Sequence, residues 1–116
     1  MLFAENRLRK KKDFERVMKD KQSRGLSVSF LSGRFLGNGL AVSRIGFVVS
    51  KKVSKKAVQR NKVKRRLREA ARFLFSQIKP GFDAVIFTRP EIAESDFSGI
   101  KQSLEALFKK AGLWKL

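Results

Sequence analysis

The chemistry this chain offers is concentrated in Gln59 to Arg72, QRNKVKRRLREAAR. Seven of these fourteen residues are Lys or Arg, and only Glu69 is acidic. Like charges at helical spacing repel by about 0.2–0.5 kcal/mol per close pair. A chain that keeps such a stretch needs a partner that cancels the repulsion. Guanidinium groups present a planar fork of donors that suits phosphates and base edges, and ammonium groups supply point charge. The chemistry is therefore polyanion binding, with Arg60, Asn61, Lys62, Lys64, Arg65 and Arg68 as its first candidates.

Other chemistries are poorly provided for. The chain has no His and no Cys, which removes the commonest general base, the usual zinc ligands and the thiol nucleophile. Glu91, Glu94 and Asp96 form the densest acidic group. They stand just before the last predicted helix, where carboxylates suit the helix dipole, so capping and solubility are expected of them and not a metal site. Ser50 and Lys51 are neighbours on a predicted strand and point to opposite faces. Gly37-Asn38-Gly39 lacks the Lys-Ser/Thr of a phosphate loop. No catalytic residue and no metal held by the protein alone are expected.

Charge sets the class of partner. Against 28 Lys and Arg there are 10 Asp and Glu, a net charge of +18 with a pI near 11.3. Nucleic acid is the usual partner of such a surface, and an anionic membrane surface is the rival. No apolar run approaches the roughly 20 residues of a membrane span. The apolar opening Met1-Leu2-Phe3-Ala4 is too short for a signal peptide. The absence of Cys suits a reducing compartment, and a cytoplasmic location is expected.

The elements that must position these cations follow from periodicity. The 116 residues suggest one domain, residues 1–116. Val63, Leu67, Ala70, Leu74 and Ile78 step by four, three, four and four, one apolar stripe of a helix over about residues 57–78. Asn61, Arg65, Arg68 and Arg72 fall opposite that stripe, with Lys62 and Lys64 at its edges. Lys79-Pro80-Gly81 stops this helix. Phe14, Val17 and Met18 give a short amphipathic helix over residues 11–20, entered by the basic arm RLRKKK. Gly25 to Phe35 alternates as a half-buried strand, and Ser43 to Lys52 follows as another. The Gly37-Asn38-Gly39 turn between them predicts a hairpin. Phe82 to Arg89 is nearly all apolar and predicts a central strand. Ser95 or Asp96 caps a last helix with stripe Ile100, Leu104, Leu107 and Phe108. Trp114 suits a packing anchor for that helix. A sheet with helices packed on it is implied.

At Arg60-Asn61-Lys62-Val63-Lys64-Arg65 the chain resembles the protein subunit of bacterial ribonuclease P. That family carries Arg-Asn-Arg, an apolar residue, Lys and Arg. RIGFVVSKK upstream matches a family strand running into two lysines. RLRKKKDFERVMK resembles the first helix, and PGFDAVIFTRP and SLEALFKKAG the last strand and helix. The resemblance covers nearly the whole chain in order. It departs at Lys62, where Arg is usual, at Met18, where an aromatic is frequent, at Lys21, where Gly is common, and in having no Tyr. Residues 25–35 do not align one by one.

The resemblance implies an α/β two-layer sandwich in the order α-β-β-β-α-β-α, with a mixed sheet and a left-handed βαβ crossover. One of the two strands read before the basic helix is then broken, with Ser32-Gly33 the expected point. It implies a ribonucleoprotein whose catalyst is the RNA subunit, removing the 5′ leader of precursor tRNA by hydrolysis. It implies as partners the catalytic RNA and the single-stranded leader, with Mg²⁺ in the holoenzyme and the isolated protein a monomer. Lys51, Lys52, Arg60, Asn61, Lys62, Lys64, Arg65 and Arg68 are the expected RNA contacts. Lys64 and Arg68 are expected to face the leader. Phe14 and Met18 are compatible with the floor of the leader cleft or with core packing. Two rivals stand outside the family: a general RNA-binding module, and a membrane-active domain whose apolar stripes would have to face lipid.

Overall fold

The strand β4 (Phe82–Thr88) organises the molecule. In the computed structural model, which describes residues 4–115 and so leaves Met1–Phe3 of the apolar opening outside the described residues, the middle of this strand is buried on both faces. It therefore needs a neighbour on each edge. β2 (Leu31–Gly37) lies antiparallel on one side and β3 (Arg44–Val48) parallel on the other. β1 (Arg24–Val28) pairs antiparallel with β2, giving the order β1-β2-β4-β3.

Two expectations are corrected here. The predicted strand over residues 25–35 is two strands, and the break falls at Ser29-Phe30 rather than at Ser32-Gly33. Ser29 takes the left-handed conformation, φ 55°, which lets Val28 and Leu31 face each other. The Gly37-Asn38-Gly39 turn forms, but it closes no hairpin between β2 and β3, because the more apolar β4 takes the place between them. Asn38 anchors the turn: its backbone N–H donates to the Gly81 carbonyl at 2.9 Å, and its Oδ1 accepts from the Leu40 N–H at 2.7 Å.

The connection from β3 to β4 is α2 (Ala57–Leu74), followed by a 3₁₀ turn over Phe75–Gln77. The predicted stripe is its buried face: Val63, Leu67, Ala70 and Leu74 are buried, as is Ile78 beyond it. Burying one side chain such as Leu67 fully is worth about 1.5–3 kcal/mol. α3 (Phe97–Lys110) starts at Asp96, whose side chain accepts from the Gly99 N–H at 2.8 Å. Its face Ile100, Leu104, Leu107 and Phe108 is buried beside α2. These helices cover the sheet face that carries Leu31, Phe35, Ile45, Phe47, Ala84 and Ile86, which is the main sandwich. Trp114 packs against this core and bridges to Ile78.

α1 (Lys11–Lys19) covers only part of the other face, where Leu8 and Val17 meet Leu36 and Val85. Two ion-pair links hold it there. Arg16 pairs with the fully buried Asp83, and Arg44 bridges Asp83 at 2.7 Å and Asp13 at 3.5 Å. No helix among the described residues is long and apolar enough to cross a membrane.

Candidate nucleic-acid interface

β3 is an edge strand, and two of the predicted cations, Lys64 and Arg68, border the groove along its free edge. The segment before α1 is stitched to the first part of that edge. The buried Asn6 donates from Nδ2 to the Ser43 carbonyl at 3.1 Å. Arg7 forms a parallel bridge with Ile45, and the Leu8 N–H donates to the Ile45 carbonyl at 3.0 Å. Past Leu8 the chain turns away into α1, and the edge opens into a groove. α1 and Arg9 stand on one side and α2 on the other. The groove has a volume of about 220 Å³ and is lined by Arg7, Leu8, Arg9, Phe14, Ile45, Gly46, Phe47, Lys64 and Arg68.

Four of these side chains are cationic and none is acidic. Among the described residues, the ion pairs join Arg16 and Arg44 to Asp83, Arg44 to Asp13, and Lys109 to Glu105. All lie outside the lining, so the lining cations keep their charge for a ligand. Arg68 feels the crowding. Burial first, and the Arg7 charge second, lower its pKa from the usual arginine value. At Asp83 burial alone would raise the carboxyl pKa. Hydrogen bonds from Arg44 and Asn38, with the charges of Arg44 and Arg16, outweigh it, and the net shift is downward. The Arg44 pKa is raised, first by its hydrogen bond to Asp83. The acids thus rigidify the frame and leave the groove cationic.

The predicted site residues divide into three groups. Phe14, Lys64 and Arg68 line the groove. Asn61, Lys62 and Arg65 are exposed on the outer side of α2 and form a second basic surface with Arg72. Arg60 is turned back on its own loop, its Nη1 donating to the Ser54 carbonyl at 2.9 Å and to the Lys55 carbonyl at 3.0 Å. It orders the entry to α2 and is only partly exposed. Lys51 and Lys52 are exposed, on a turn after β3 rather than on its end, because the strand stops at Val48. Met18 is exposed on α1 and is not part of the groove lining, so of the predicted pair Phe14 and Met18 the groove holds Phe14 only.

Sequence reasoning passed over Arg7, Arg9 and Gly46. The arm RLRKKK was visible as charge. Its useful signal is the alternation of Arg7 and Arg9 about the buried Leu8, which in extended backbone puts both arginines on one side. Arg34 was also passed over. It lies on β2 between Gly33 and Phe35, which face α3, so the pleat turns it to the face that carries α1. Its Nε is buried without a hydrogen-bond partner.

Comparison with known proteins gives a consistent result. Residues 2–112 match the family model described as Ribonuclease P. The chain is 42% identical over 111 residues to the ribonuclease P protein component of Caldanaerobacter subterraneus subsp. tengcongensis, covering 94% of this chain and 91% of that protein. A solved ribonuclease P protein from Staphylococcus aureus is similar with a TM-score of 0.82 at 29% identity, covering 95% of this chain and 98% of that one. The ribonuclease P protein from Thermotoga maritima is similar with a TM-score of 0.79 at 35% identity, covering 90% and 96%.

Proposed function

The chain belongs to the ribonuclease P protein family, the protein subunits of an endoribonuclease of tRNA processing, and from that premise we propose that its β3-edge groove receives the single-stranded 5′ leader of precursor tRNA while the outer side of α2 lies on the catalytic RNA. The observation that carries this is the groove itself: Arg7, Arg9, Lys64 and Arg68 around an aromatic ring, with no acid in the lining. Single-stranded nucleic acid is held by this combination, cations tracking the phosphates and an aromatic side chain stacking a base. The groove is open, so a strand can pass along it.

Asn61, Lys62, Arg65 and Arg72 are exposed on the same helix outside the groove lining, with Lys51 and Lys52 on the preceding turn. One helix then touches two RNAs, and its positive charge lowers the repulsion between them. The protein's part in leader removal is to bind and orient the substrate, and the chain supplies no acid or base to the cleaved bond. Among the described residues no three His, Cys, Asp or Glu side chains converge. The buried Asp83 is already engaged by Arg44, Arg16 and Asn38. These residues do not fit a Mg²⁺ cage, and holoenzyme Mg²⁺ belongs to RNA phosphates in this reading. The protein acts in the cytoplasm and is a monomer until it meets RNA.

The test is a comparison of two substrates. The chain is assembled on a bacterial ribonuclease P RNA at low Mg²⁺ and moderate salt, and affinity is measured for a precursor tRNA and for the same tRNA without its leader. The reading expects the protein to tighten precursor binding far more than mature tRNA binding. Equal tightening makes the chain a general RNA binder and removes the leader from the groove.

A further inference from the structure

We propose that Gly46 is a positioning residue for the leader: its missing side chain seats Phe14 directly on the β3 backbone and so keeps the groove open. This rests on the leader reading above and assigns the residue that sets the width of the site.

The glycine is not needed for backbone conformation. The glycines with positive φ are Gly39, Gly81 and Gly112, and Gly46 sits in ordinary extended backbone in the middle of β3. Glycine in a strand interior weakens it unless another group must come close. Here the group is Phe14. A Cβ placed on Gly46 would overlap the Phe14 ring, at 2.7 Å from Cε1, and would stand 3.2 Å from the Leu8 Cβ. The ring would have to withdraw by about 1 Å to regain ordinary van der Waals contact.

Two directions are open to a displaced ring. Moving α1 as a whole works against the Arg16–Asp83 and Arg44–Asp13 pairs that hold it to the sheet. Swinging the ring sideways gives up part of its packing against Leu8, Val17 and Val85 but breaks no ion pair, and it carries the ring further into the groove that it already lines. A side chain at position 46 therefore pushes Phe14 into the space that the strand of RNA would occupy. Gly46 touches no substrate in this account; it acts through Phe14.

The experiment is a double-mutant cycle in the assembled holoenzyme. Wild type, Gly46→Ala, Phe14→Ala and the double variant are each saturated with catalytic RNA. Affinity is read for precursor tRNA, for leaderless tRNA and for the catalytic RNA. The expected result is a loss of leader discrimination of about fivefold or more in Gly46→Ala and in Phe14→Ala, with leaderless tRNA and catalytic RNA bound as by wild type. The double variant loses no more than Phe14→Ala alone. Losses that multiply, or a Gly46→Ala protein with wild-type discrimination, overturn the proposal while the leader reading stands. A Phe14→Ala protein with full discrimination overturns both. If Gly46→Ala does not fold, removal of the ring must restore folding in the double variant, followed by circular dichroism and thermal melting; failure of that rescue also overturns the proposal.

Discussion

Arg7 bears on Arg68 across the groove, and its charge is the cause, second to burial, that lowers the Arg68 pKa. Arginine loses its proton only far above neutrality, so the downward shift leaves Arg68 charged wherever RNA is handled. The lowered pKa reflects first the partial burial of the Arg68 charge and second its nearness to Arg7. In the leader reading, a phosphate seated between Arg7 and Arg68 would relieve that cost and so couple RNA binding to stability.

Arg68→Gln separates the two effects. Precursor affinity is expected to fall by about tenfold, the worth of one hydrogen bond to a charged group, and the slope of log affinity against log salt to shrink by about one. The free protein is expected to melt no lower than wild type at low salt. An unchanged salt slope, from titrations between low and moderate salt, would remove Arg68 from the RNA contact.

The two sides of α2 should answer to different RNAs. Lys62→Glu with Arg65→Glu is expected to weaken binding of the catalytic RNA steeply, with leader discrimination intact once the complex is saturated. Lys64→Glu is expected to erase discrimination with a smaller effect on the catalytic RNA. Filter binding of the three RNAs to each variant decides this. Parallel losses in both variants would mean that one RNA covers the whole helix.

Asp83 is expected to contribute a stability that acid removes. Its carboxyl pKa is lowered in the folded state, so it binds its proton more readily when unfolded. Its stabilisation is complete above the unfolded value, about 3.9, and is lost as pH falls through the folded pKa. Asp83→Asn is expected to cost about 2–3 kcal/mol at neutral pH, below the roughly 3–5 kcal/mol of a fully buried pair because Arg16 and Arg44 keep some water. That difference should shrink on acidification. Urea melts at neutral pH and near pH 3 test it, and an equal deficit at both would show that the charge is not what stabilises.

Much of this architecture is legible from period and punctuation. The α2 stripe is set by 3.6-residue spacing, the start of α3 by the capping carboxylate of Asp96, and the central place of β4 by its unbroken apolar run. What escapes is long-range or unmarked. Ser29 makes the left-handed turn between β1 and β2 without the Gly or Asn that would announce it. Strand order defeats chain order, since β4 must enter between two strands joined by a good turn sequence. Helical angles separate Lys64 from Lys62, but which edge of α2 borders a groove depends on where β3 ends up. Arg7 gains its role only because a segment thirty-seven residues upstream of Ser43 pairs with the same strand.

That pairing gives the remaining prediction, which tests the groove without altering its charge. Asn6 is buried, and its Nδ2 holds the Ser43 carbonyl at 3.1 Å. Ser43 is itself fixed, donating from Oγ to the Lys79 carbonyl at 2.7 Å and accepting from the Phe82 N–H at 3.0 Å. Asn6 is therefore the rivet between the arginine-bearing arm and the end of the sheet. Asn6→Ala leaves every cation in the chain but frees the arm. It is expected to cost about 1–3 kcal/mol of stability, the range for a lost hydrogen bond with its acceptor left buried. Precursor affinity should fall because Arg7 and Arg9 no longer hold a fixed place. Non-specific attraction to RNA, which follows net charge, should stay as it was. Hydrogen exchange at the Leu8 N–H, now protected by the Ile45 carbonyl, reports directly on whether the arm has come loose. Fast exchange with unaltered precursor affinity would show that the arm is a structural strap, and that Lys64 and Arg68 alone carry the charge of the groove.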